Sequence, residues 1–369
     1  MKISCLQENL SEGLSIVTRV VSTTGSLPVL SNVLLETEEG RLKLQATDLE
    51  TGVTTWVGAK IEEEGAITVP AKVFSRLVSD LAPGEISLKT EKKNLFLEAE
   101  GVESRFNGLS ADEFPDIPEF TDEGFELKAS EIAEGIDEVI FAAAKDEGRP
   151  VLTGVLFRSS GKELVMVAVD GFRLAEKKLT FEKELPEMDF IIPARTLREV
   201  SLLLGGEDQT VKMAQVAEEN QILFQVGDVR FSSRLLEGDF PNYREVVPDS
   251  FNVNIELDRA EFLKAVRLAS LFAEGGANVV RLDISPENNV LSVSANAQEI
   301  GSNKVEVPIR GEGEDSKIAF NAKYLTDCLS ALSSDKVIFE MIESLKPGAI
   351  LPKDVDDYLH VIMPVRVQE

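Results

Sequence analysis

Three cations, Lys72, Arg195 and Lys323, stand at the same place in three copies of one stretch. The copies are Val69-Pro70-Ala71-Lys72-Val73-Phe74-Ser75-Arg76-Leu77-Val78, Ile192-Pro193-Ala194-Arg195-Thr196-Leu197-Arg198-Glu199-Val200 and Phe320-Asn321-Ala322-Lys323-Tyr324-Leu325-Thr326-Asp327-Cys328. They recur at intervals of about 125 residues, the mark of an internal repeat. Apolar residues three and four apart (Val73, Phe74, Leu77, Val78, Leu81) predict a short amphipathic helix in each copy, running to Leu81, Leu204 and Leu332. The helix dipole disfavours a positive charge in the first turn by roughly 0.3–1 kcal/mol. The same unfavourable sign three times over points to faces that meet an anionic partner.

Composition argues against that partner on average and for it locally. The chain has 369 residues, Lys+Arg 38 against Asp+Glu 65, and a formal net charge of −27. Nucleic-acid binding needs lysine and arginine at the phosphates. Within the repeated helices the balance reverses, with Lys72, Arg76, Arg195, Arg198 and Lys323 against Asp80, Glu199 and Asp327. Two cysteines, Cys5 and Cys328, form no disulfide framework and no paired metal-ligand spacing, which suits a reducing cytosol. No signal peptide and no apolar run of membrane-spanning length is present, so a soluble intracellular protein is expected.

Residues for catalysis or cofactor binding are missing. His360 is the single histidine and sits in an apolar strand pattern. Gly311-Glu312-Gly313-Glu314-Asp315 reads as an acidic hairpin loop without the Gly-Lys-Ser/Thr of a phosphate cradle. Asp354, Asp356 and Asp357 read as a solvated loop, and Asp48 and Asp170 as repeated turn formers. Neither an enzyme, a metal nor a cofactor is expected.

The elements that carry the cations repeat as well. A second helix signal precedes each copy, over 10–21, 132–140 and 262–271, and period-two strand patterns fill the intervals, as in Val33-Leu34-Leu35 with Leu42-Lys43-Leu44 and Val155-Leu156-Phe157 with Leu164-Val165-Met166. Each unit is therefore α+β, with two helices and about eight short antiparallel strands. Glu113-Phe114-Pro115-Asp116-Ile117-Pro118 and Asp239-Phe240-Pro241-Asn242-Tyr243 mark equivalent stiff linkers. Domains of 1–120, 121–249 and 250–369 follow. Each has a diameter of about 35 Å; three such spheres in a ring leave a hole of about 5 Å, whereas six leave about 35 Å, enough for a duplex. A ring around DNA would need two chains.

The threefold repeat, Leu27-Pro28-Val29-Leu30-Ser31-Asn32, Thr47-Asp48-Leu49-Glu50, Val169-Asp170-Gly171-Phe172-Arg173-Leu174-Ala175, Phe240-Pro241-Asn242-Tyr243 and Met363-Pro364-Val365-Arg366 together resemble the bacterial sliding clamps, the beta subunits of DNA polymerase III. The resemblance covers essentially the whole chain. It implies the DNA-clamp fold as a head-to-tail homodimeric ring of six domains, a cytoplasmic processivity factor that encircles double-stranded DNA without sequence specificity and tethers the polymerase catalytic subunit, clamp loader and repair factors. It implies that Lys72, Arg76, Lys145, Arg149, Arg195, Arg198 and Lys323 face the duplex. It implies a groove for partner peptides at Leu152, Val169, Gly171, Phe172, Arg173, Leu174, Pro241, Val246, Val361, Met363, Pro364, Val365 and Arg366, with Arg173 and Arg366 available to polar ends of the ligand. The first domain's strand region around Leu95, Phe96, Arg105 and Phe106 would meet the third domain near Leu271, Phe272, Glu299 and the 298–304 stretch, with Arg105 facing Glu299 or Glu306. Val169, Phe172 and Glu245 depart from the family pattern and should favour more apolar ligands. A repeat-built peptide scaffold that never meets DNA is the competing reading.

Overall fold

The computed structural model describes residues 1–21, 27–120, 124–146, 148–206, 208–216, 219–248, 250–273, 278–297, 299 and 301–366. Each repeat runs strand, helix, four strands, helix, three strands. The first comprises β1 (Lys2–Leu6), α1 (Gln7–Val17), β2 (Asn32–Glu38), β3 (Arg41–Thr47), β4 (Thr51–Glu63), β5 (Ala66–Pro70), α2 (Ala71–Asp80), β6 (Glu85–Glu91), β7 (Asn94–Ala99) and β8 (Val102–Asn107). The second comprises β9 (Phe125–Lys128), α3 (Ala129–Val139), β10 (Gly154–Ser160), β11 (Glu163–Val169), β12 (Arg173–Thr180), β13 (Asp189–Pro193), α4 (Ala194–Ser201), β14 (Thr210–Val216), β15 (Gln221–Val226) and β16 (Val229–Arg234). The third comprises β17 (Val253–Asp258), α5 (Arg259–Ser270), β18 (Val279–Ser285), β19 (Val290–Ala297), β20 (Gly301–Gly313), β21 (Ser316–Asn321), α6 (Ala322–Ala331), β22 (Lys336–Met341), β23 (Gly348–Pro352) and β24 (Tyr358–Ile362).

These elements form two compact units, residues 1–130 with 199–235 and residues 131–198 with 236–369. Each unit is built on one 12-stranded sheet. In the first the order is β8-β7-β6-β1-β4-β16-β15-β14-β9, with β2, β3 and β5 attached through β4; in the second it is β13-β10-β11-β12-β24-β23-β22-β17-β20-β19-β18-β21. Every pairing is antiparallel, as short turns require. Strand alternation sets the cores: in β7, Leu95 and Leu97 are fully buried while Phe96 on the other face is half-buried. Helices α1 and α2 pack together in the first unit, α5 and α6 in the second.

Two seams join repeats within these sheets. In the first unit β4 pairs β16, setting Thr51, Gly52, Val53, Thr54 and Thr55 opposite Ser233, Ser232, Phe231, Arg230 and Val229. In the second, β12 pairs β24, setting Arg173, Leu174, Ala175, Glu176 and Lys177 opposite Ile362, Val361, His360, Leu359 and Tyr358. Strands β4, β12 and β20 hold the same place in their repeats, as do β16, β24 and β8. Among the described residues, β8 pairs only with β7, and 301–308 of β20 pair only with β19.

The helix boundaries differ slightly from the sequence expectation. The first helix of each repeat begins about one turn earlier, directly on the end of a strand. Pro70 and Pro193 end strands, and α2 starts at Ala71. Val73, assigned by periodicity to the buried face of α2, is 63% exposed, because Ala71, Phe74 and Val78 fill the face that meets the sheet. Among the described residues no helix is long and apolar enough to cross a membrane.

Candidate nucleic-acid interface and peptide groove

Lys72, Arg195 and Lys323 are the second residues of α2, α4 and α6, and all three are exposed. Asn321 Oδ1 accepts from the Lys323 amide at 2.9 Å, whereas Pro70 contributes no side-chain cap to α2. One turn on, Arg76 and Arg198 are exposed too. Two of these cations lean on a carboxylate of their own helix: Arg76 Nε on Asp80 Oδ2 at 2.8 Å and Lys323 Nζ on Asp327 Oδ1 at 2.9 Å. Exposed pairs at this spacing are worth about 0.3–0.5 kcal/mol, little enough for a phosphate to displace them. Lys145 and Arg149 lie exposed in the segment between α3 and β10.

The β12–β24 seam assembles the floor of the expected groove. Leu174 and Val361 are cross-strand partners, 1% and 2% exposed, in one apolar cluster with Leu156, Val165, Val167, Ile191 and Tyr243, against which Val169 packs. Burying each such side chain contributes about 1.5–3 kcal/mol, so the floor of the expected groove is part of the core. Above it stand side chains with free apolar area: Phe172 is 61% exposed, Val246 46% and Met363 41%. The Met363 amide donates to the Phe172 carbonyl at 2.8 Å, and the Tyr243 amide to the Pro241 carbonyl at 2.7 Å, which ties the rim to the floor. Gly171, at φ +90°, makes the turn before β12. Leu152 is buried in the short turn over Pro150–Thr153, the Val365 amide is held by Ala319 of β21, Pro364 is half-buried and Arg366 exposed. Of the departures from the family pattern, Val169 joins the floor, Phe172 the rim, and Glu245 Oε1 accepts from Asn242 at 2.7 Å. The tail at 367–369 lies outside the described residues.

Arg173 does not serve the ligand as expected. Its side chain is 4% exposed; Nε donates to Asp170 at 3.0 Å, one terminal nitrogen to Asp327 at 2.8 Å and the other to the Phe141 carbonyl at 2.5 Å. Its guanidinium lies 4.5 Å from the Tyr324 ring centroid and 5.4 Å from that of Phe141. Asp170 in turn caps its own turn, Oδ1 accepting from the amides of Phe172 (2.9 Å) and Arg173 (3.0 Å). Asp48 does the same for Glu50 and Thr51, so the turn-forming role assigned to both aspartates holds. The turn role of Asp170 was legible from the sequence, but the enclosure of Arg173 was not, because Phe141, Tyr324 and Asp327 lie far from it along the chain.

A second ionic cluster crosses the same seam. Buried Lys177 reaches Glu138 at 2.8 Å and Asp357 at 3.0 Å. Asp357 is thus not the solvated loop acid expected, while Asp354 and Asp356 are exposed. Burial raises the Glu138 carboxyl, opposed by Lys177. His360 is fully enclosed, 5.3 Å from Phe141 between ring centroids, and burial followed by the Arg173 charge lowers it to about 3. Burial, then Glu176, pushes Tyr243 up to about 12. No cluster of three or more His, Cys, Asp or Glu suited to a metal occurs among the described residues.

At the edges assigned to dimer contact the structure separates candidates. Leu95 is fully buried inside the first unit and has no surface to offer a partner, a correction that follows from strand alternation. Phe96 and Phe106 are half-buried, Arg105 and Glu299 are exposed, Phe272 is half-buried, and Leu271 is 55% exposed. Glu306 already meets Lys304 at 2.9 Å. Gln298 lies outside the described residues.

Comparison with known proteins covers the chain end to end. Family models of the DNA polymerase III beta subunit match in order: the N-terminal domain at residues 1–118, the central domain at 126–242 and the C-terminal domain at 244–366. The beta sliding clamp of Synechococcus elongatus is 34% identical over 374 residues, covering 100% of both chains. That of Staphylococcus epidermidis is 32% identical over 361 residues, covering 94% of each. The structure of the DNA polymerase sliding clamp from Bacillus subtilis superposes with a TM-score of 0.94 at 27% identity, and the DnaN sliding clamp from Pseudomonas aeruginosa bound to griselimycin with 0.92 at 30%, both over 100% of either chain.

Proposed function

The chain belongs to the DNA polymerase III beta subunit family, and from that premise we propose that it is a replication processivity factor: a ring of two chains that encircles duplex DNA and tethers the polymerase to it. It acts without catalysing a reaction, in the cytoplasm, with domains bounded at 120/121 and 249/250. Lys72, Arg76, Lys145, Arg149, Arg195, Arg198 and Lys323 face the phosphates. Such contacts carry no sequence information, so the ring slides. An acidic exterior, implied by the net charge of −27, repels the duplex and keeps it central. The polymerase catalytic subunit, the clamp loader and repair factors dock through short linear motifs whose leucine or phenylalanine anchors enter the Phe172, Val246 and Met363 rim over the Leu174–Val361 floor.

The observation that carries the ring is that the seam motif has three potential instances and one chain completes two. β4 pairs β16 and β12 pairs β24, while among the described residues their equivalents β20 (over 301–308) and β8 keep open edges. Unpaired strand edges invite pairing with another chain. Carrying the seam register across sets Val102 opposite Val305, Glu103 opposite Lys304 and Arg105 opposite Ser302, head to tail between two copies.

The test is retention on nicked circular DNA. The loaded protein should stay on the circle and be lost when the circle is cut, and the Lys72→Glu/Arg195→Glu variant should lose processive synthesis while remaining dimeric. Equal retention on linear DNA, or unchanged synthesis by that variant, contradicts the proposal.

A further inference from the structure

Lys323, on the face assigned above to DNA, and Phe172, on the rim assigned to partner peptides, are joined by a continuous chain of short polar contacts. Lys323 Nζ meets Asp327 Oδ1 at 2.9 Å. The other oxygen of the same carboxylate accepts from Arg173 at 2.8 Å. Arg173 Nε donates to Asp170 Oδ2 at 3.0 Å, and the Asp170 Oδ1 atom holds the amides of Phe172 and Arg173. The Phe172 carbonyl then receives the Met363 amide at 2.8 Å. All of these residues belong to the second compact unit.

The two ends of this chain differ in how firmly they are held. Arg173 is 4% exposed and enclosed by two carboxylates, a carbonyl and two aromatic rings, whereas Lys323 is 53% exposed and its ammonium is held by Asp327. A phosphate that draws Lys323 away leaves Asp327 with one cation instead of two. The Asp327 carboxylate then falls wholly to Arg173, which Asp170 also holds, and Asp170 is the cap of the turn that presents Phe172. In low-dielectric surroundings such a change is felt more strongly than on the open surface.

We propose that Asp327 is a positioning residue shared by the two sites, through which occupancy of the α6 face by DNA phosphate alters the affinity of the Phe172–Met363 groove for partner peptides. The proposal rests on the assignment of Lys323 to DNA made above. By linkage the effect is reciprocal: peptide in the groove alters duplex affinity by the same factor. Asp327 touches neither ligand; it acts through Arg173 and Lys323.

The experiment measures the Kd of a fluorescein-labelled peptide ending in Leu-Phe, with and without a saturating short blunt duplex at low salt, the duplex carrying a second label so that its own binding is read in the same samples. For the wild-type chain the peptide Kd shifts about twofold on duplex saturation, the scale set by the exposed Lys323–Asp327 pair. Lys323→Gln, an exposed substitution, sets the peptide Kd without DNA at the value of the duplex-bound wild type. Asp327→Asn abolishes the duplex dependence. Duplex binding with an unmoved peptide Kd overturns the coupling and leaves the DNA assignment standing; absence of duplex binding overturns the DNA assignment and the coupling with it. A Lys323→Gln protein whose peptide Kd equals that of the free wild type, or an Asp327→Asn protein that keeps the full shift, assigns Asp327 to stability alone.

Discussion

Where β4 meets β16, the face covered by the first linker carries Lys43, Gln45, Gly52, Thr54, Arg230 and Ser232; where β12 meets β24, the equivalent positions are Val165, Val167, Leu174, Glu176, Leu359 and Val361. The backbone registers are the same. At the first seam Ile117, Pro118, Glu119 and Phe120 line a narrow polar pocket with Lys43, which bonds Glu38 at 2.7 Å and lies 3.7 Å from Glu119, and with Arg230 over the Trp56 ring at 4.7 Å. At the second, Tyr243 of the equivalent linker joins an apolar floor beside an exposed apolar rim. One fold motif therefore forms a polar joint in the first unit and, in the second, the apolar floor and rim proposed to take peptides, and the difference lies in side chains on one face of the sheet. The third instance, at β8 and β20, is unpaired among the described residues and is the edge proposed to receive a second copy.

The largest expected effect separates the open edge from the closed ones. Leu271→Asp places a charge in the proposed contact between copies and raises the dimer dissociation constant by about a hundredfold or more, as sedimentation across concentrations would show. Leu345→Asp, at a comparably exposed leucine of the same unit, leaves it unchanged. Next in size, Phe172→Ala weakens binding of the Leu-Phe peptide by about tenfold, the cost of a large exposed anchor surface. Leu49→Ala, at the matching turn of the first seam, changes it by less than about twofold; equal losses from both would erase the distinction between the seams.

Smaller still is the cost of breaking the polar joint. Lys43→Met leaves Glu38 facing Glu36 and Glu119 without its cation, and denaturant unfolding should show a loss of about 1–2 kcal/mol, discounted for the partial exposure of those carboxylates. The smallest effect is a pH slope confined to the second seam. His360 is held near 3 by burial, below its unfolded value of 6.5, so its contribution to stability is complete above 6.5 and is lost as pH falls toward 3. The first seam has Phe231 at the matching position. His360→Phe should therefore flatten the fall in thermal midpoint between pH 6.5 and about 5, above the range where most carboxylates titrate; an unchanged slope would show that other groups carry it.

Repetition made the architecture readable in the sequence. Two helices and eight strands per repeat follow from three superimposed period-two and period-3.6 patterns, each copy reinforcing the others. Side-chain roles that depend on residues far apart in the chain were less accessible. Arg173 looked free for a ligand because Asp327, its partner, lies 154 positions away on α6. Asp357 looked solvated because Lys177 comes from another strand. Leu95, by contrast, was placed at an interface against a signal already present: neighbours in a strand face opposite ways, so Leu95 and Phe96 cannot both point outward. Val73 shows the limit of helical periodicity, since a helix this short needs only the stripe of Ala71, Phe74 and Val78 to cover its sheet.

The central claim is that two chains complete the third seam in the register of the other two. Val102→Cys combined with Val305→Cys tests it directly, because the native cysteines, Cys5 and Cys328, are buried. Mild oxidation should yield a covalently closed dimer in high yield, and the displaced pair Val102→Cys with Ser302→Cys should give little. A double variant that remains monomeric under oxidation, or one that cross-links no better than the displaced pair, would contradict the account.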